Sequence, residues 1–235
     1  MTSDCAALFV GPHPDDVEIA ASGTILRLTR SGHRVVILDL TAGEMGSRGT
    51  GEQRQREAAA AAAMLGVADR RSLALRDTAI ADDDDSVQKL VALMREVRPR
   101  LLFAPHERDV HPDHTAAAQL AGKAWFYSGL VRFHPELGSP HRPRLLVRYP
   151  GNVPVEPTFA VDISDLVEQK AAVLGCYRSQ LQGEGAKTHM VQGIDVRDRA
   201  QVRDRFFGVR IGCAAAEPFV IDGPLPLADL GALLG

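Results

Sequence analysis

Cys5-Ala6-Ala7-Leu8-Phe9-Val10 followed at once by Gly11-Pro12-His13-Pro14-Asp15-Asp16 is the stretch that decides how the chain folds. The first half is an uninterrupted apolar run, as expected of a strand buried on both faces. The second half is a loop stiffened by Pro12 and Pro14, each of which fixes its own φ and turns the preceding residue away from helix. On that loop His13 and Asp16 are spaced to hold one cation, and Asp15 is left beside it. A second apolar run, Leu101-Leu102-Phe103-Ala104, precedes a second cluster, His111-Pro112-Asp113-His114. Two His/Asp clusters, each after a strand, predict one metal site built from both. Read alone, HPDD is equally a turn whose aspartates cap the next helix.

Outward from these anchors, strand and helix signals alternate. Val17 to Arg30 has a helical pattern stopped by Gly32, and Val35 to Leu38 reads as a second buried strand. A glycine-rich loop, Ala42 to Gly51, leads to an alanine-rich helix from Glu52 to Leu65. A short strand at Leu73 to Leu75, a helix from Ser86 to Val97 and, after the second cluster, a helix from Thr115 to Tyr127 continue the series. The aspartates at 82 to 85 read as an acidic lead-in stabilised by the helix dipole. Past Ser128 the pattern loosens. Leu145 to Arg148 and Phe159 to Val161 read as antiparallel or edge strands, Ile163 to Tyr177 and Arg197 to Ile211 as helices, and Gly183 to Gly193 as a mobile loop. The alternation predicts an α/β, Rossmann-like fold: a mostly parallel sheet, helices on both faces, and a site at the C-terminal ends of the strands.

The bulk properties are ordinary. The 235 residues are 45% hydrophobic and 24% charged with a net charge of −3, which suits one α/β domain spanning 1–235. No basic block points to nucleic acid. The apolar window from Ala58 to Ala68 is too short for a bilayer, and Asp4 stands where a secretory signal would be basic. The three scattered cysteines form neither a disulfide frame nor a CxxC zinc site. A cytoplasmic protein without membrane contact is expected.

GPHPDDVE with HPDH downstream resembles the LmbE / PIG-L family of zinc-dependent de-N-acetylases, which act on N-acetylglucosamine-containing molecules. The order of Asp39 to Glu44, Gly49-Thr50, Arg54, Glu57-Ala58, Asp162 to Ser164 and Tyr177 to Gln180 is similar to the bacillithiol-biosynthesis branch. The similarity runs from Phe9 to about Phe219. One departure is HPDDVE where the family often has HPDDE, so Glu18 inherits no role. The resemblance implies His13, Asp16 and His114 as ligands of Zn2+, with another divalent metal such as Fe2+ as an alternative. It implies Asp15 as general base, and His111, protonated, as oxyanion donor and acid to the leaving amine. A bell-shaped pH profile would follow. Asp113 either orients His111 or caps the helix at Thr115.

Arg54 and Glu57, at i and i+3, are either an exposed ion pair or, as the resemblance implies for Arg54, a group at the sugar pocket. Glu44, Ser47 and Arg48 are further candidates for that pocket, and His189 is a weaker one. His33, His134 and His141 read as surface residues; His106 has no assignable partner, and Trp125 and Tyr127 read as packing. The expected activity is deacetylation of a small N-acetylglucosaminyl substrate, foremost the malate conjugate, by a homo-oligomer. N-acetylglucosamine, chitobiose or another glycoconjugate is the alternative substrate. A metal- and sugar-binding module is the competing class, against which the free carboxylate of Asp15 argues. A dinucleotide site would want GxGxxG after the first strand.

Overall fold

The opening apolar run forms strand β1, Cys5–Gly11, at the centre of the sheet. The computed structural model of the chain describes residues 5–181 and 196–225. β1 pairs in parallel with β2 (Arg34–Asp39) on one side and β4 (Leu101–Pro105) on the other. β3 (Asp69–Ser72) extends the parallel set beyond β2, and β5 (Leu145–Tyr149) beyond β4. Two antiparallel strands complete the order β3-β2-β1-β4-β5-β7-β6: β6 (Phe159–Asp162) at the edge, and β7 (Ala216–Ile221) between it and β5.

Alternate residues of β1 feed two cores, which is why the strand is apolar throughout rather than every second residue. Phe9 points to the side of helices α1 (Asp16–Arg30), α2 (Gly51–Met64) and α5 (Val167–Leu174), where its ring stacks on Phe103 at 4.2 Å. Leu8 and Val10 point to the side of α3 (Asp84–Val97) and α4 (Pro112–Ser128), among Leu90, Met94 and Leu120. A short α6 (Arg178–Leu181) and α7 (Val196–Ile211) complete the described helices. None of these is long and apolar enough to cross a membrane. The acidic lead-in behaves as expected: Asp83 caps α3 by accepting from Ser86 N at 2.8 Å.

The fold class read from sequence is the one observed, with four local corrections. The short strand lies at 69–72, not 73–75, and is built of Asp, Arg, Arg and Ser. The strand at 145–149 is interior, not at an edge, and pairs in parallel with β4 and antiparallel with β7. The expected helix over Ile163 to Tyr177 is a 3-10 turn, Ser164–Leu166, followed by the shorter α5. β7 was not foreseen, because Glu217 and Pro218 interrupt its apolar pattern. The loop at 183–193, with His189, lies outside the described residues.

Two buried charge networks explain β3 and β7. Arg70 of β3 donates to both carboxylate oxygens of Asp39 at 2.7 and 2.8 Å and pairs with Glu18, which also accepts from Tyr177 Oη at 2.8 Å. Burial, offset by Arg70, raises the Asp39 pKa to about 6. Arg70→Met leaves two buried carboxylates without their counter-charge, and a loss of about 3–5 kcal/mol is expected in urea unfolding. A loss below about 1 kcal/mol, the scale of an exposed pair, would show that the network contributes nothing beyond a surface contact.

In the second network, helix α1 is broken at Ala21, whose φ/ψ of −142°/17° is not helical. The buried carboxylate of Glu217 enters the break and accepts from Gly23 N at 2.8 Å, Thr24 N at 2.7 Å and Thr24 Oγ1 at 2.6 Å. Those N–H groups head the second half of the helix, where an anion is favoured. Lys170 neutralises the carboxylate at 2.6 Å and also meets Asp204 at 2.8 Å.

Candidate active site

The two His/Asp clusters come together because β1 and β4 are neighbours and parallel, so both loops leave the same end of the sheet. The first loop is pinned to the one after β2: Gly11 O accepts from Leu40 N at 2.8 Å, and Pro12 O from Thr41 N at 3.1 Å. Between the pinned segment and α1, Asp15 adopts φ 114°, a region that disfavours any residue with a Cβ. The second loop ends at His111, the N-cap of α4, with Pro112 starting the helix.

Asp16 sits between the two histidines. Its Oδ2 lies 3.1 Å from His13 Nδ1 and its Oδ1 3.3 Å from His114 Nε2. Each histidine turns its other nitrogen to a different carboxylate. His13 Nε2 is 3.1 Å from Asp113 and 3.2 Å from Asp77; His114 Nδ1 is 3.1 Å from Asp109. Ligand atoms of His13, Asp16 and His114 all lie within 4.8 Å of one another, so this trio can hold a metal ion. Imidazoles backed by carboxylates are the usual outer arrangement of such a centre. A second trio, His13 with His111 and Asp113, meets the same distance criterion. In the first trio both histidines keep a carboxylate behind the nitrogen turned away from Asp16, so the first fits better.

Burial opposes charge on both histidines, but the carboxylates outweigh it. Asp16, then Asp113 and Asp77, raise His13 to about 9; Asp16 and Asp109 raise His114 to about 10. The metal-free protein therefore carries both as imidazolium at neutral pH. A cation must displace the proton on each nitrogen facing Asp16. Close to two protons are expected to leave per metal taken up at pH 7, with affinity rising as pH climbs toward those values. Calorimetry in buffers of different ionisation enthalpy counts them, and a count of zero would remove both histidines from the ligand set.

Asp15 turns away from Asp16 toward Arg54 Nη2, at 3.3 Å. Burial pushes its pKa up, Arg54 pulls it down and Asp16 pushes it up again, leaving it at about 7. His111 accepts from Asp113 N at 3.2 Å through Nδ1, which puts the ring proton on Nε2. Burial, then the charges of His114 and His13, lower its pKa. The protonated His111 expected from the sequence would need a second proton on the nitrogen that accepts this bond. A neutral Nε2–H donor is what the structure provides.

Two expectations change. The carboxylate of Asp113 meets His13 and accepts from Thr78 N at 2.8 Å, and the cap of α4 is His111, not Asp113, whose backbone N donates to the His111 ring. Arg54 is only 5% exposed and donates to Pro14 O at 2.6 Å and Gly43 O at 3.1 Å. It fastens the Asp15 loop to the glycine-rich loop. Gly43 is required there, since a Cβ would lie 2.1 Å from the guanidinium. Glu57 is buried as well, and accepts from Ser179 N and Oγ at 2.8 and 2.6 Å, so no exposed ion pair exists.

Of the weaker candidates, Glu44 accepts from Asp77 N at 2.9 Å, Arg48 donates to Gln180 O at 3.2 Å, and Ser47 is exposed. His106 closes a local turn with Arg108 N and lies 3.9 Å from Glu107. His33 is exposed, His134 pairs with Glu136, and His141 meets Pro99 O at 2.7 Å. Asp77, Asp109 and Asn152 were not singled out from sequence. Asp109 had a signal, lying two residues before the HPDH cluster; Asp77 and Asn152 arrive from distant loops with none.

Comparison with known proteins agrees with this geometry. Residues 8–125 match the family model described as PIG-L, GlcNAc-PI de-N-acetylase. The chain is 32% identical over 185 residues to a diacetylchitobiose deacetylase from Thermococcus kodakarensis, covering 74% of this chain and 69% of that one. It is 32% identical over 200 residues to a probable N-acetyl-alpha-D-glucosaminyl L-malate deacetylase 2 from Bacillus cereus, covering 77% and 86%. A crystal structure of a conserved protein from Thermus thermophilus superimposes with a TM-score of 0.84 at 40% identity, over 96% of this chain and 97% of that one. The chain belongs to the PIG-L de-N-acetylase family. It is a hydrolytic N-deacetylase.

Proposed function

We propose that the protein is a zinc-dependent deacetylase of small N-acetylglucosaminyl compounds, acting in the cytoplasm. The observation that carries the reading is Asp15, a carboxylate beside the three converging groups but outside their contacts, held instead against Arg54. A structural metal site has no use for it. His13, Asp16 and His114 would hold a divalent cation, which would supply Lewis acidity and lower the pKa of a nearby water toward about 7. Asp15 accepts the proton of the water that attacks the acetyl carbon, and returns it to the nitrogen as the carbon–nitrogen bond breaks. His111, through its Nε2–H, stabilises the oxygen of the tetrahedral intermediate. The products are acetate and a free glucosaminyl amine.

The relatives from Thermococcus and Bacillus support the sugar class and divide over the aglycone. The malate conjugate of bacillithiol biosynthesis is the substrate we favour, and diacetylchitobiose is the alternative. Amine release from each is compared for zinc-loaded, iron-loaded and chelator-treated enzyme. Turnover of the malate conjugate that chelator abolishes and zinc restores is expected. Equal turnover in chelator, or none on any N-acetylglucosaminyl compound, overturns the reading.

A further inference from the structure

Asp109 is the second carboxylate on the HPDH loop, and its side chain is 1% exposed. Four groups surround it. Its Oδ2 takes His114 Nδ1 at 3.1 Å and Asn152 N at 2.8 Å; its Oδ1 takes His111 N at 2.8 Å and Asn152 Nδ2 at 3.0 Å. Three of the four are N–H groups that can only donate, and the fourth, His114 Nδ1, must then donate as well. Only an ionised carboxylate offers acceptors on both oxygens. The preceding residue leaves room for the arrangement: a Cβ on Gly151 would lie 2.2 Å from Asp109 Oδ2 and 2.8 Å from His114 Nδ1.

We propose that Asp109 is a positioning residue of the metal centre, holding His114 in its Nδ1–H form so that Nε2 faces the cation, and fastening that ring to the loop after β5. The proposal rests on His114 being a ligand. A neutral imidazole has one proton, and whichever nitrogen carries it cannot bind metal. With the proton held on Nδ1 by Asp109, the lone pair is left on the nitrogen beside Asp16. Asn152 N and Nδ2 grip the two oxygens separately, so the carboxylate cannot rotate out of line. Arg199 of α7 donates to Asn152 O at 3.2 Å and secures the loop from outside. Asp113 and Asp77 back His13, whereas among the described residues Asp109 is the only carboxylate backing His114 through Nδ1.

Asp109→Asn tests this with almost no change of shape. Whichever way the amide turns, its NH2 group faces two donors, and turned toward His114 it favours the wrong tautomer. Zinc affinity, read by competition with a chromophoric chelator, is expected to fall about 10–100-fold, the usual effect of losing such a partner. The visible spectrum of the cobalt-substituted protein should change with it. Asn152→Ala removes one of the two grips on the carboxylate and leaves its acceptors, so its affinity should fall, but by less than that of Asp109→Asn. A role confined to holding the loop would lower the urea midpoint of both variants and leave zinc affinity unchanged. Parent-like affinity and cobalt spectrum in a folded Asp109→Asn protein therefore overturn the proposal. Should that variant not fold, the parent decides. In its zinc-loaded form, labelled with 15N-histidine, the His114 proton must appear on Nδ1, and a proton on Nε2 overturns the proposal. A parent that binds no zinc instead removes the ligand reading on which this rests.

Discussion

Asp15→Asn is expected to keep its metal and lose at least about 100-fold in kcat, the usual contribution of a positioned general base. The amide preserves shape and leaves His13, Asp16 and His114 untouched, but it cannot accept a proton. Activity of the parent should rise with pH along an acid limb, because only ionised Asp15 can take the water's proton. In the metal-free protein that ionisation lies at about 7, the sum of burial, the Arg54 guanidinium and the Asp16 charge. A bound cation favours the ionised form, so the limb of the loaded enzyme is expected below that value. Metal content by atomic emission and a pH–rate profile of both proteins check the claim. Parent-like turnover in a fully loaded Asp15→Asn protein would remove Asp15 from the chemistry.

The two histidines of the HPDH loop should separate just as cleanly. His111→Ala is expected to retain metal and lose about 10²–10³-fold in kcat, as when one oxyanion donor is removed. His111→Gln, which restores an N–H, should recover part of it. His114→Ala is expected to lose metal occupancy itself. A neutral His111 also alters the pH expectation drawn from sequence: it supplies no alkaline limb, and the acid limb of His111→Ala should lie where the parent's does. Metal lost from His111→Ala and retained in His114→Ala would exchange the two assignments.

The legible parts of the fold were those with an uninterrupted apolar signal. β1, β2 and β4 are buried on both faces and read as solid hydrophobic runs, and the loops after β1 and β4 carry the motif residues. β3 was invisible for the opposite reason. It is an edge strand of charged residues, held by Arg70 to partners that periodicity cannot reveal. β7 hid behind a buried glutamate and a proline. In the site, residues on one short loop could be grouped from spacing, whereas the destination of a long side chain could not. Arg54 carries the same sequence signature whether its guanidinium lies exposed beside Glu57 or, as here, is buried against Pro14 O and Gly43 O. Carboxylates that reach histidines from elsewhere in the fold leave little local pattern.

Glu217 closes a loop of 194 residues when it meets Gly23, and that span governs how the chain can be made. On the ribosome, β1 and the whole of α1 emerge long before residue 217. Until then the second half of α1 has bare N–H groups in its break. They cannot be buried cheaply without that partner, because an unpaired polar group in the interior is costlier than one in water. The break in α1 can therefore be sealed only once β7, the last strand, has been synthesised. Such dependence on a late, distant contact makes folding slow and exposes apolar surface meanwhile. Yield in a heterologous host should then depend on chaperone supply and growth temperature more than on the stability of the finished fold.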